Sequence, residues 1–231
     1  MLELGGNAAA IVDRTADVDW AATRCLTGAF KFAGQLCVSI QRLLLHEAIA
    51  EEFLDRFTAR AAALRMGDPL DPATELGPVI DAAAAERTQR WIDSALALGG
   101  QMLMGGPPRG QFFPPTVLAD VPVEAEICSE EAFAPVVVVS RFAGFDEAIE
   151  RANASRFGLQ AGVFTNELAN AWRAFEELDV GGVVINDIPG YRIDHMPFGG
   201  VKESGQGREG LRWAMEDMTE LRLMVLAQPG M

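Results

Sequence analysis

The sequence is poor in residues that staple a chain, ligate a metal or anchor it in a bilayer. Three cysteines, two histidines and one tyrosine occur in 231 residues. Cys25, Cys37 and Cys128 fit no zinc spacing, and an odd count makes a poor disulfide framework. With only His46 and His195 to add, a metal site would be short of ligands, so no metal is expected. The free thiols read as a reduced, cytoplasmic protein. No stretch approaches the roughly 20 apolar residues of a spanning helix. Met1-Leu2-Glu3 is acidic where a signal peptide is basic, and no apolar core follows it. No membrane partner is therefore expected. Basic residues are also scarce, 19 against 33 acidic, for a net charge of −14. That excludes nucleic acid, because phosphate binding needs a basic patch.

What is present is an ordinary globular composition, 49% hydrophobic and 23% charged. Its length suits one large domain or two small ones. Apolar runs at Asn7 to Val12, Arg42 to His46, Pro135 to Ser140, Ala161 to Phe164 and Gly182 to Ile185 read as buried strands. Short strands are also expected at Gln101 to Met104 and Pro115 to Leu118. Helical patterns fall between them, at Trp20 to Phe32, Glu47 to Arg65, Phe145 to Ala154 and Glu167 to Leu178. A further Ala-rich helix is capped by Asp81 and ends at Gly99-Gly100. Val121 to Ser129 reads as irregular, Gly210 to Met218 as a short helix, and Leu221 to Ala227 as a final apolar strand. The alternation predicts an α/β fold with an open, mostly parallel sheet flanked by helices.

The stretch Phe30-Lys31-Phe32-Ala33-Gly34-Gln35-Leu36-Cys37 places a cysteine just past a Gly-Gln corner, between a helix and a strand. A turn there frees the thiol from packing and can aim backbone N–H groups at it. Such a setting is expected to lower the thiol pKa and favour the reactive thiolate. The alternative for a free cysteine is a small buried hydrophobe.

Four stretches then share one resemblance. Phe30, Gly34, Gln35, Cys37 and Arg42 resemble the cysteine motif of the aldehyde dehydrogenase superfamily. Leu2-Glu3-Leu4-Gly5-Gly6 looks like its catalytic-glutamate motif. Glu130-Glu131-Ala132-Phe133-Ala134-Pro135 is similar to its cofactor motif. The run from Pro197 through Phe198 and Lys202 to Glu209 matches its last glycine-rich motif. Four matches in order make a specific signal where one would be weak.

The resemblance implies oxidation of a small aldehyde to an acid with NAD or NADP. Cys37 matches the nucleophile, whose thiohemiacetal becomes a thioester. Glu3 matches the base that activates water to hydrolyse it. Glu131 matches the carboxylate on the cofactor ribose, and Phe133 the ring against the nicotinamide. Phe30, Tyr191, Arg192 and Phe198 match positions around the substrate. A guanidinium at Arg192 would pair with a carboxylate or phosphonate. The cysteine motif is similar to that of a subgroup acting on lactaldehyde, glycolaldehyde, semialdehydes and phosphonoacetaldehyde.

The sequence departs from the family at Phe32, where Asn is common, and at Ala134, where Gly is usual. Ala84 stands where many members carry a cofactor-touching Gln, and Arg87 one turn later is a possible substitute. Glu3 argues against the acylating members that use coenzyme A, since those tend to lack the base. A non-catalytic interaction module is the reading from another class. The resemblance covers the whole chain, but the chain covers about half of the family's length. The expected division is a catalytic domain at 1–205, a segment returning to an absent cofactor domain at 206–218, and an oligomerisation strand with its tail at 219–231. That strand implies a homo-oligomer, a dimer or tetramer.

Overall fold

The structure is a computed structural model that describes residues 1–228 and 230. Among these the chain forms eleven strands and seven helices. In order they are β1 (Leu2–Glu3), β2 (Ala8–Val12), α1 (Val18–Phe30), β3 (Ile40–His46), α2 (Glu47–Ala62), α3 (Ala82–Ala97), β4 (Gln101–Met104), β5 (Thr116–Ala119) and α4 (Glu126–Ser129). They continue as β6 (Val136–Phe142), α5 (Phe145–Asn153), β7 (Phe157–Gly158), β8 (Gln160–Phe164), α6 (Leu168–Glu177), β9 (Gly182–Ile185), β10 (Val201–Lys202), β11 (Gly205–Gln206) and α7 (Leu211–Asp217).

Seven strands make one sheet in the order β4-β5-β6-β3-β2-β8-β9. All its pairings are parallel except β4 with β5. Such a sheet must be covered on both faces. Residues of β2 alternate between them: Ala10 and Val12 join the larger core with α1, α2 and α3, while Ala9 and Ile11 join the smaller one with α5 and α6. The α/β architecture expected from the sequence is the one formed.

Local chemistry sets the helix ends. Asp17 accepts from the Trp20 N–H, and Asp81 from the Ala84 N–H, as capping requires. Helix α1 stops at Phe30, two residues short of the expectation, because Phe32 and Ala33 turn left-handed at φ 52° and 57°. Helix α2 stops at Ala62 rather than Arg65. The stretch read as irregular contains the single turn α4.

Residues 221–227 form no ladder in the single chain, where the expected oligomerisation strand would have a neighbouring copy as its partner. A strand is defined by its partner, and these residues find none among the described residues. Their apolar side chains stand exposed, Leu221, Leu223, Met224, Val225 and Leu226 among them. Two antiparallel pairs were not foreseen, β1 with β11 and β7 with β10. At two residues each they are too short for a hydrophobic period to reveal.

Candidate active site

Three loops converge where parallel strands begin. Glu3 and Gly6 lead into β2, Cys37 leads into β3, and Glu131 and Phe133 lead into β6. Since β2, β3 and β6 are adjacent and parallel, all three loops meet at one rim of the sheet.

Glycines let them approach. An added Cβ at Gly6 would lie 2.1 Å from the Cys37 carbonyl oxygen, and one at Gly5 would lie 2.8 Å from Oε2 of Glu131. Gly34 has φ +71°, and its Cβ would meet the Ala134 carbonyl oxygen at 2.2 Å. The Gly6 N–H donates to Oε1 of Glu131 at 2.8 Å. The motif glycines thus mark where the three loops touch.

Cys37 sits in a turn closed by the Ser39 N–H on the Leu36 carbonyl at 2.9 Å. The Ser39 hydroxyl reaches back to the carbonyls of Gly28 and Ala29 at the end of α1. Gln35 donates from Nε2 to the carbonyls of Phe32 and Pro78, fixing the corner from outside. The left-handed turn before it is strained at a non-glycine residue, by about 1–2 kcal/mol. Phe32 is 62% exposed, so little packing offsets that cost. Phe32→Asn, a residue that tolerates this conformation, is expected to stabilise the chain by about 0.5–1 kcal/mol. A rise in the urea midpoint at constant slope checks it, and a fall would show that the ring contributes more than the strain.

The sulfur is half-buried beside Val38, Leu159 and Phe198. Burial pushes the Cys37 thiol up to about 12, with the neighbouring Glu3 carboxylate and then Glu131 adding to the rise. This corrects the expectation of a lowered pKa. The turn is as read, but two carboxylates brought from distant sequence positions face the thiol and disfavour its anion. Its own backbone N–H opposes them.

Glu3 is held by the last glycine-rich motif. It pairs with Gly205 in the β1–β11 ladder, and the Leu4 N–H donates to the Ser204 carbonyl at 3.1 Å. Ser204 is fully buried, and its hydroxyl accepts from the Gly158 N–H. Sequence reasoning gave Lys202, Ser204 and Arg208 of this motif no role, and the structure gives the stretch around Ser204 the seating of Glu3. Oε1 of Glu3 is buried without a hydrogen-bond partner, so one lone-pair site remains open to a water or a substrate proton.

Glu131 and Phe133 line a cleft of about 610 Å³ with Asp81, Ala84, Arg87 and Trp91. Burial raises the Glu131 pKa, and Glu3 adds to it, while the Gly6 N–H and Arg87 act the other way. Phe133 offers a partly exposed ring, 38% accessible. Arg87 lies over Trp91 at 5.4 Å and donates from Nη2 to the Ala132 carbonyl, but its Nε is buried and unpartnered. An open cleft with a ring face, a carboxylate oxygen and an orphan donor fits a nicotinamide riboside. The residues match a dinucleotide's nicotinamide half.

The remaining expected residues divide. Phe198 is buried beside the Cys37 turn, with backbone bonds to Glu209. Tyr191 is exposed on the adjoining loop. Arg192 stacks on Phe198 at 4.3 Å and is paired with Glu209 at 2.7 Å. Phe30 does not reach the site. It is 2% exposed and stacked on Phe57 at 5.7 Å, because its ring lies on the core face of α1. Among the described residues no His, Cys, Asp and Glu cluster could hold a metal ion, and no helix is long and apolar enough to cross a membrane.

Comparison with known proteins places the fold among solved structures. The chain is 42% identical over 225 residues to the 3-sulfolactaldehyde dehydrogenase of Priestia megaterium, covering 97% of this chain and 47% of that protein. It superimposes at a TM-score of 0.95, with 44% identity, on aldehyde dehydrogenase 21 from Physcomitrella patens in complex with succinate. That match covers 99% of this chain and 48% of the other. It matches an NADP-complexed glyceraldehyde-3-phosphate dehydrogenase from Methanocaldococcus jannaschii at a TM-score of 0.91 and 41% identity, covering 94% and 47%. The chain spans about half the length of the curated relatives it matches. The aldehyde dehydrogenase family pattern fits residues 1–224, and the chain belongs to that family.

Proposed function

We propose that this chain is the catalytic part of an NAD(P)-dependent enzyme that oxidises a small aldehyde to a carboxylic acid. The observation that carries the reading is the meeting of Glu3 and Cys37 at one rim of the sheet, with Glu131 beside both. Cys37 adds its sulfur to the aldehyde carbon, and its thiol proton passes to oxygen. The Cys37 N–H is the donor assigned to that oxygen. The dinucleotide, when bound, supplies the hydride acceptor. Glu131 and Phe133 orient it through its ribose and ring. Glu3, with Oε1 free, draws a proton from the water that hydrolyses the thioester on Cys37. The retained Glu3 disfavours transfer to coenzyme A.

Addition of S–H across an aldehyde needs no dinucleotide, which gives a direct test. Glycolaldehyde or lactaldehyde is expected to protect Cys37 from iodoacetamide, read by peptide mass spectrometry. Cys128, also half-buried, serves as the internal control. Absence of protection at saturating aldehyde, or equal protection of both thiols, would overturn the reading. The 231-residue chain by itself is expected to show little or no dinucleotide-dependent turnover. Turnover with propanal and NAD or NADP near that of a complete enzyme would contradict the division into a catalytic part at 1–205 and a returning segment at 206–218.

The substrate reading is an anionic short aldehyde. The Priestia relative is named for sulfolactaldehyde, and the Physcomitrella structure holds succinate. Arg192 offers the matching cation once it exchanges Glu209 for the substrate's anionic group. With the dinucleotide-binding part supplied, Arg192→Ala is expected to lower kcat/KM for sulfolactaldehyde about tenfold or more and to spare propanal. Equal losses on both would end that assignment. The exposed apolar side chains at 221–226 support strand pairing with a neighbouring copy in a homo-oligomer. The free thiols support a reduced, cytoplasmic setting.

A further inference from the structure

The second inference rests on the reading of Glu131 and Phe133 as cofactor contacts and concerns what holds them. We infer that Gln41, set out of the strand ladder by a β-bulge, is the positioning residue of the Glu131–Phe133 loop.

The ladder between β2 and β3 pairs Ala8 with Ile40 and Ala9 with Arg42, so Gln41 has no opposite number. A bulge re-aims side chains and is common beside functional sites. Here it places both Ile40 and Gln41 on the side of the larger core, and turns Arg42 to the face of α5. Gln41 is a primary amide in a Leu-rich strand, 5% exposed. Its burial would be costly without partners, and it has three. Nε2 donates to the carbonyls of Ile127 at 2.8 Å and Glu130 at 2.7 Å, and Oε1 accepts from the Ala132 N–H at 2.9 Å. These bonds bracket Glu131 on both sides.

The loop needs holding. Phe133 stands at φ 51°, a left-handed conformation that its own side chain disfavours. Asn7 assists from the start of β2, donating to the Cys128 and Glu130 carbonyls at 2.9 Å each. Arg42 fixes the Asn7 amide from the other side, at 2.7 Å to Oδ1. The Glu130 carbonyl thus accepts from two buried amides, one from the strand that follows Glu3 and one from the strand that follows Cys37. The distance between the carboxylate of residue 131 and the sulfur is set through Gln41.

Gln41→Met keeps shape and removes all three bonds. Hydrogen exchange in peptides covering 130–133 is expected to accelerate tenfold or more, with the amides of β3 and β6 unchanged. Cys37 alkylation at about pH 8 is expected to rise at least twofold as the Glu131 charge moves away. Glu131→Gln should give a similar rise, and adding Gln41→Met to it should give no more. Should the methionine variant not fold, Gln41→Asn serves: its amide is one methylene shorter and cannot span all three partners, so the Ala132 amide exchanges faster. Unchanged loop exchange in a folded variant would overturn the inference. So would uniform acceleration along the chain, or additive effects in the double variant. None of these readouts needs dinucleotide or turnover, so they stand apart from failure of the aldehyde protection test.

Discussion

Glu3→Gln is expected to make Cys37 more reactive toward iodoacetamide, by about three- to tenfold at pH 8–9. The sign follows from the site. The thiol is held up near 12 by burial, by Glu3 and by Glu131. Below that pH the thiolate is a small fraction that grows about tenfold for each pH step or each unit the pKa falls. Removing one adjacent carboxylate lowers a thiol pKa by about 1–2 units. The thiolate fraction rises accordingly, while the weaker basicity of the sulfur returns about a factor of three per unit. The wild-type rate should climb with pH to about 10 without a plateau, and the variant's line should lie above it throughout. A slower variant would mean that Glu3 takes the thiol proton during attack. Either result is read from one pH series, and Cys128 reports any general loosening.

Gly6→Ala is expected to be strongly destabilising. The added Cβ would stand 2.1 Å from the carbonyl oxygen of Cys37, which is backbone and cannot rotate away. Either β2 or the Cys37 turn must shift, and the Gly6 N–H bond to Glu131 goes with it. A loss of about 3 kcal/mol or more is expected from such overpacking against a fixed atom. For a domain of this size that is a fall in Tm on the order of 6–12 °C. Gly5→Ala meets only the end of a side chain, so it should cost about 1 kcal/mol. Comparable melting of the glycine-6 variant and the parent chain would show that the Cys37 turn is not seated on the lead into β2.

The sheet was legible because its signals are local. Four valines in a row, the apolar run before Asp13 and the acids at 17 and 81 each point to their element without help from elsewhere. The site was legible as a set of motifs, and the structure brings Glu3, Cys37, Glu131, Phe133 and Phe198 to the same rim. What could not be read depends on partners far along the chain. The thiol's electrostatics come from residues 34 and 94 positions away. Arg192 is taken up by Glu209, and no spacing rule signals that pair. Phe30 belongs to the core because α1 ends at the left-handed turn, a conformation unexpected for Phe32 and Ala33. Gln41 carried one faint mark, a polar amide beside a charge at the head of an apolar strand. Its meaning required the bulge.

Glu3, Cys37 and Glu131 each sit a few residues ahead of a strand buried on both faces. Their tethers are too short for independent wandering, so these groups inherit the stiffness of the sheet. Fast backbone motion at the rim is expected in the stretch from 186 to 196, which lies on no strand. Order parameters should be uniform across the first three groups and drop at Tyr191. The arrangement puts the mobile part of the rim at the loop carrying Tyr191 and Arg192, and not at Glu3, Cys37 or Glu131.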